Sequence, residues 1–169
     1  MPEIIKDGQI VTDHWQVFKL AEGENAQTVS LPAEQSLLPL SVWLARKQEV
    51  ISKGTPIGIW LESDETPEQI AADLGHFSVI AVNFPKFTDG RGFSIARLLR
   101  ERYAFGGEIR AIGDILFDQL FFLKRCGINA FALRADQNIE KALAGFATIS
   151  ESYQAAADQP QPLFRRRAA

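Results

Sequence analysis

From residue 56 onward, short apolar runs alternate with stretches of helical spacing. Residues 56–61, 78–83, 108–112 and 130–133 have the length and β-prone content of buried strands. Between the first two, Thr66-Pro67-Glu68-Gln69 places a capping Thr, a Pro at the first helical position and a Gln three residues after the cap. That combination starts a helix, here reaching to about Leu74. Next, Ile95, Leu98, Leu99 and Arg102 share one side of a helix that begins near Ser94 and runs through Tyr103. Ser94, Arg97 and Glu101 occupy the other side. Residues 115–125 are apolar nearly all round, which predicts a largely buried helix. Asn138 caps a last helix whose Ile139, Ala142, Leu143, Phe146 and Ala147 keep the i, i+3, i+4, i+7, i+8 spacing. Upstream, Asp7-Gly8 between two β-prone runs predicts a hairpin, and residues 15–18 extend that ribbon. Residues 21–35 read as a loop, and 39–52 as a helix stopped by Gly54.

Strands separated by helices pair in parallel through right-handed crossovers. The expected fold is therefore α/β: a mostly parallel sheet of about four βα units with an N-terminal β-hairpin. Such a sheet is open and doubly wound or partial-barrel-like. The open form is favoured, because four units cannot close an eight-stranded barrel. One domain spans 1–157, with 1–20 as its β-ribbon, and 158–169 form a flexible basic tail.

Composition narrows the function classes. A chain of 169 residues with 46% hydrophobic and 23% charged residues is an ordinary globular domain. A net charge of -3 and a pI of about 5.4 argue against nucleic-acid binding. No window reaches the roughly 18 uninterrupted apolar residues of a membrane span. The one cysteine, Cys126, allows no internal disulfide and suits a cytoplasmic location. With only His14 and His76 beside it, no zinc tetrad or iron–sulfur ligand set can be assembled, so no metal is expected.

The candidate chemistry begins with Asp89-Gly90-Arg91-Gly92-Phe93-Ser94. In a doubly wound sheet, ligands bind beyond the carboxyl ends of the strands, which is where this loop falls. Free N–H groups at a helix start, with Arg91 and the Ser94 hydroxyl, would make an anion site. A turn at Asp89-Gly90 and an ordinary Ser94 cap explain the same residues more simply. Arg97 either reaches toward a ligand or pairs with Glu101. Glu108 and Arg110 share a strand face, so they pair with each other or line an opening, and Asp89 is a candidate partner for Arg110. Asp114 is most simply a cap of the following helix. Asp118 and Gln119 are site candidates because capping does not explain them. Cys126, at a helix carboxyl end, is structural.

Taken together, these motifs have a familiar order: Phe84-Pro85, Phe87, Asp89-Gly90-Arg91-Gly92-Phe93-Ser94, Ala96-Arg97, Leu99-Arg100, then Gly107-Glu108, Arg110-Ala111, Gly113-Asp114, Asp118-Gln119 and Arg125-Cys126-Gly127. Their order resembles a bacterial domain-of-unknown-function family, number 934, which carries the label of an oxidoreductase in sulfite reduction. The likeness covers nearly the whole chain. It implies a role in assimilatory sulfur metabolism, with the sulfite reductase haemoprotein as the implied partner. It also shifts Arg91, Arg97 and Arg110 toward function.

Two alternatives follow. One is an accessory protein of sulfite reduction that binds an anion or the reductase through an Arg-rich crevice. The other is an enzyme on an anionic substrate, with Gly90, Arg91, Gly92, Ser94, Arg97, Glu108, Arg110, Asp114 and Gln119 binding and Asp89 and Asp118 as acid or base. The chain shows no dinucleotide fingerprint and no thiol pair to carry electrons, so its cofactor, if it uses one, is unknown.

Overall fold

The computed structural model describes residues 2–167. The strands are β1 (Glu3–Lys6), β2 (Gln9–Thr12), β3 (Gln16–Val17), β4 (Ser36–Pro39), β5 (Ile57–Leu61), β6 (Phe77–Phe84), β7 (Glu108–Gly113) and β8 (Ala130–Phe131). The α-helices are α1 (Leu40–Ser52), α2 (Arg91–Glu101), α3 (Leu120–Arg125), α4 (Ile139–Gly145) and α5 (Leu163–Arg166). Two 3-10 segments, Pro67–His76 and Phe117–Gln119, complete the set.

All eight strands form one sheet in the order β2-β1-β8-β7-β6-β5-β4-β3. From β3 to β8 the pairings are parallel, and each strand lies beside its sequence neighbour. Consecutive order with right-handed crossovers stacks the connecting segments on one face only. The fold is thus α/β and largely parallel, but it is singly wound, with no point where strand order reverses. The doubly wound alternative is corrected on that ground. The parallel set also starts two strands earlier than the apolar runs announce, at β3 and β4.

Asp7 and Gly8 turn the β1–β2 hairpin with φ of 49° and 78°. Residues 16–17 do not extend it. They form β3, at the opposite edge of the sheet from β2. Only Asp13, His14 and Trp15 join those two edges. Four residue steps reach at most about 14 Å, whereas eight strands laid flat would span roughly 34 Å. The sheet must therefore curl into a half-barrel, its edges drawn together by this strap.

Curling gives the sheet two unlike faces. Outside, beneath the helices, lies the main core, including Trp43, Ile59, Ile80, Phe84, Leu99 and Ile109. Inside lies a smaller cluster of Leu37, Trp60, Val79, Ala81 and Ile112, covered by Trp15. The Trp60 indole donates to the Phe18 carbonyl, just past β3, at 3.0 Å.

Two further expectations change. Residues 115–125 do not form one buried helix: Leu116 is extended, a 3-10 turn follows, and α3 begins only at Leu120. Phe117 and Phe122 each keep 57% of their surface exposed. The segment expected as a frayed tail carries α5. It is tied down by Arg125, which donates to Asp158 at 2.7 Å and to the Gln154 carbonyl. Positions 1, 168 and 169 of the expected ribbon and tail lie outside the described residues.

Candidate functional site

The loops after β5, β6 and β7, together with the segment after β8, meet at one rim, the carboxyl end of the parallel strands. In barrel-like α/β folds this end carries the chemistry. Helix α2 begins at Arg91, with Gly90 as its cap position. Ser94 is therefore not the N-cap. It sits in the first turn and lines a shallow groove with Arg97, Leu98, Glu101 and Arg102. The capping role falls to Asp89, whose Oδ1 accepts from the Arg91 backbone N–H at 3.1 Å.

Arg91 folds back on the same carboxylate, donating from Nε to Oδ1 at 3.0 Å and from Nη2 to Oδ2 at 2.7 Å. Its Nη2 also donates to the Ser63 hydroxyl at 2.7 Å. The helix amino terminus and its arginine thus already hold an anion, supplied by the chain itself. Hydrogen bonds from Arg91, with the Ser63 hydroxyl and the Arg91 backbone, keep the Asp89 carboxyl well below the usual carboxylate range. Gly92 serves packing rather than a ligand, since a side chain there would meet the Phe84 ring at 2.6 Å.

A second clasp stands beside the first. Arg134 donates from Nη1 to Asp114 at 2.8 Å, and from Nε and Nη2 to Asp136 at 2.7 and 2.8 Å. Asp114 caps no following helix. Its other oxygen accepts from the Phe87 N–H at 3.0 Å and so holds the loop after β6. Bonding to Arg134 lowers the Asp136 carboxyl, and both carboxylates raise the guanidinium. Inside the rim, Asn83 donates to Glu62 at 2.7 Å.

Arg110 lies deeper. Its row on the inner face includes Ala81 and Ala130, and the row of Asn83 and Ile112 separates it from the rim. Only 2% exposed, it donates to Glu108 at 2.7 Å and to both Asp13 oxygens at 2.8 and 2.9 Å. Lys6 meets the other oxygen of Glu108 at 2.7 Å. The expected Asp89 partner is replaced by Asp13, because the strap brings that residue over the inner face. Arg91 and Arg110 therefore belong to separate networks.

The remaining candidates disperse. Arg97 pairs with Glu101 at 2.9 Å. Gln119 is buried and does cap, accepting from the Leu116 N–H at 3.0 Å. Asp118 is exposed and lines a groove of about 550 Å³ with Phe117, Phe121, Phe122 and Lys141. Burial pushes the Cys126 thiol up, away from a nucleophilic thiolate. Among the described residues, no three His, Cys, Asp or Glu side chains gather closely enough to hold a metal ion. Among the same residues, no helix is long and apolar enough to cross a membrane.

Asp13, Ser63 and Arg134 escape the sequence reading. Arg134 alone left a signal, since Arg134-x-Asp136 repeats the spacing of Asp89-x-Arg91 in reverse.

No protein of curated function matches the chain. A family model described as "Bacterial protein of unknown function (DUF934)" matches residues 58–164, which takes in all the candidate residues but not Asp13. With well over half of its length matched, the chain belongs to the DUF934 family.

Proposed function

We propose that the chain is an accessory protein of assimilatory sulfite reduction that works by contact with the reductase haemoprotein. The pathway rests on the resemblance of its motifs, and the mode of action on the disposition of its charges and aromatics. Every arginine among the candidates is already bonded to a carboxylate of its own chain. Asp89, the leading acid, is held ionised and cannot give up a proton near neutrality. Meanwhile Phe117 and Phe122 stand exposed on a backed surface: Phe122 packs on Phe93 at 5.0 Å, and Phe93 on Phe84 at 5.3 Å. Exposed, well-supported aromatic side chains are what protein contacts use. That observation carries the contact reading, and the proposed role in sulfite reduction implies a cytoplasmic location.

Anion handling is the second reading. One observation favours it: the Arg91 side chain is 60% exposed, so a solvent anion can approach the clasp. Reconstitution tests both together. Turnover of the purified reductase is measured with and without this chain, and sulfite, sulfate and phosphate are titrated against it by thermal shift. Faster turnover without any anion effect is expected. Unchanged turnover and no association would overturn the contact reading.

A further inference from the structure

A cavity of about 710 Å³ opens at the other end of the sheet, beside the amino-terminal ends of β7 and β8. Its volume is in the range of small-molecule sites, about 300–1,000 Å³. Ile128, Phe131, Leu143 and Phe146 give it an apolar body.

Arg100 lines this cavity in an arrangement unlike that of the other arginines. Where the remaining described arginines are wholly or partly buried, each meets a carboxylate: Arg46 with Glu49, Arg110 with Asp13 and Glu108, Arg125 with Asp158, and Arg166 with Glu151. Arg100 has only neutral acceptors. Its Nε donates to Gly127 O at 2.8 Å, Nη1 to Gly107 O at 2.8 Å and to Phe105 O, and Nη2 to the Asn129 amide oxygen at 3.0 Å. A half-buried cation with no carboxylate in hydrogen-bond contact is costly, and burial lowers its pKa, the more distant Asp7 charge opposing. The backbone is shaped to admit it. Gly127 has φ of 96°, and a side chain there would run into the Arg100 stem.

Lys124 adds a second positive charge at the mouth, its Nζ 5.9 Å from the centre of the Phe146 ring. The acidic groups facing the cavity are Asp158, which Arg125 neutralises, and Asp7, whose Oδ1 accepts from Asn129 at 3.0 Å.

We propose that this cavity binds a small organic monoanion with an aromatic or branched apolar body, its head group held by Arg100 and Lys124. The site is independent of reductase contact.

Paired fluorescent probes test it: anilinonaphthalene sulfonate and its uncharged relative N-phenylnaphthylamine. One saturable site is expected, with the sulfonate bound about tenfold tighter, a difference of about 1.4 kcal/mol. Lys124→Gln lowers sulfonate affinity severalfold and leaves the amine unchanged. Ala147→Trp, at an exposed position on the cavity wall, removes both. Equal affinity for the two probes, binding unaffected by Ala147→Trp, or binding lost in Phe122→Ser instead would overturn the proposal.

Discussion

Arg110 and Asp13, 97 residues apart in sequence, are joined by two hydrogen bonds from one guanidinium nitrogen, at 2.8 and 2.9 Å. Asp13 sits on the three-residue strap between the sheet's two edges, and Arg110 sits in the middle of β7. The pair therefore fastens the strap over the inner face. Removing Asp13 leaves the buried Arg110 with Glu108 as its one remaining carboxylate, shared with Lys6, and the charged hydrogen bonds lost are worth about 1.5–3 kcal/mol. Asp13→Ala should lose that much in urea unfolding. Asp13→Leu, Arg110→Met and Glu108→Leu together should recover most of it, because an apolar trio needs no counter-charge. A single-variant loss under about 1 kcal/mol would mean that the packing of Trp15 on the inner cluster holds the strap instead.

Asp89 should keep its charge in acid. Its carboxyl is lowered first by the Arg91 side chain, then by Ser63 and the Arg91 backbone. For a depressed carboxylate, the stabilising contribution is complete above the unfolded pKa of about 3.9 and is lost as pH falls through the folded value. Carboxyl-carbon NMR should show no Asp89 titration from neutrality down to about pH 3. In Arg91→Ala the titration should return toward the ordinary value near 3.9. Titration of the native carboxyl above about pH 4 would contradict the clasp.

Cys126 has the opposite sign. Desolvation by burial is the largest cause raising its pKa. A raised thiol pKa costs nothing below the unfolded value of about 8.5, and stability falls as pH climbs above it. Ellman's reagent should react slowly with the native chain and rapidly in urea. Fast native reaction near neutral pH would place the thiol in a different environment.

Much of the fold is legible in the sequence where local pattern and tertiary role coincide. The apolar runs of β5, β6 and β7 are buried on both faces, and such strands read as continuous hydrophobic stretches. Asp7-Gly8 makes its hairpin, and Asn138 caps α4 by accepting from the Lys141 N–H at 2.8 Å. What stays hidden has no local sign. Two residues of β3 carry no periodicity, and their parallel partner β4 lies beyond an irregular stretch. The curl follows from strand order, which spacing does not encode. In the candidate site, the i, i+2 pairing of Glu108 with Arg110 is visible on one strand, while Asp13 reaches them only through the strap. Gln119 looks functional because the helix it caps starts later than the apolar pattern indicates.

Whether this chain binds the sulfite reductase haemoprotein through its Phe117–Phe122 surface is settled most directly by titrating the immobilised reductase with the wild-type chain and with Phe117→Ser/Phe122→Ser. Contact through this surface gives saturable binding that the double variant weakens about tenfold or more, since buried aromatic anchors dominate such interfaces. Absence of wild-type binding, or equal binding by the double variant, would contradict it.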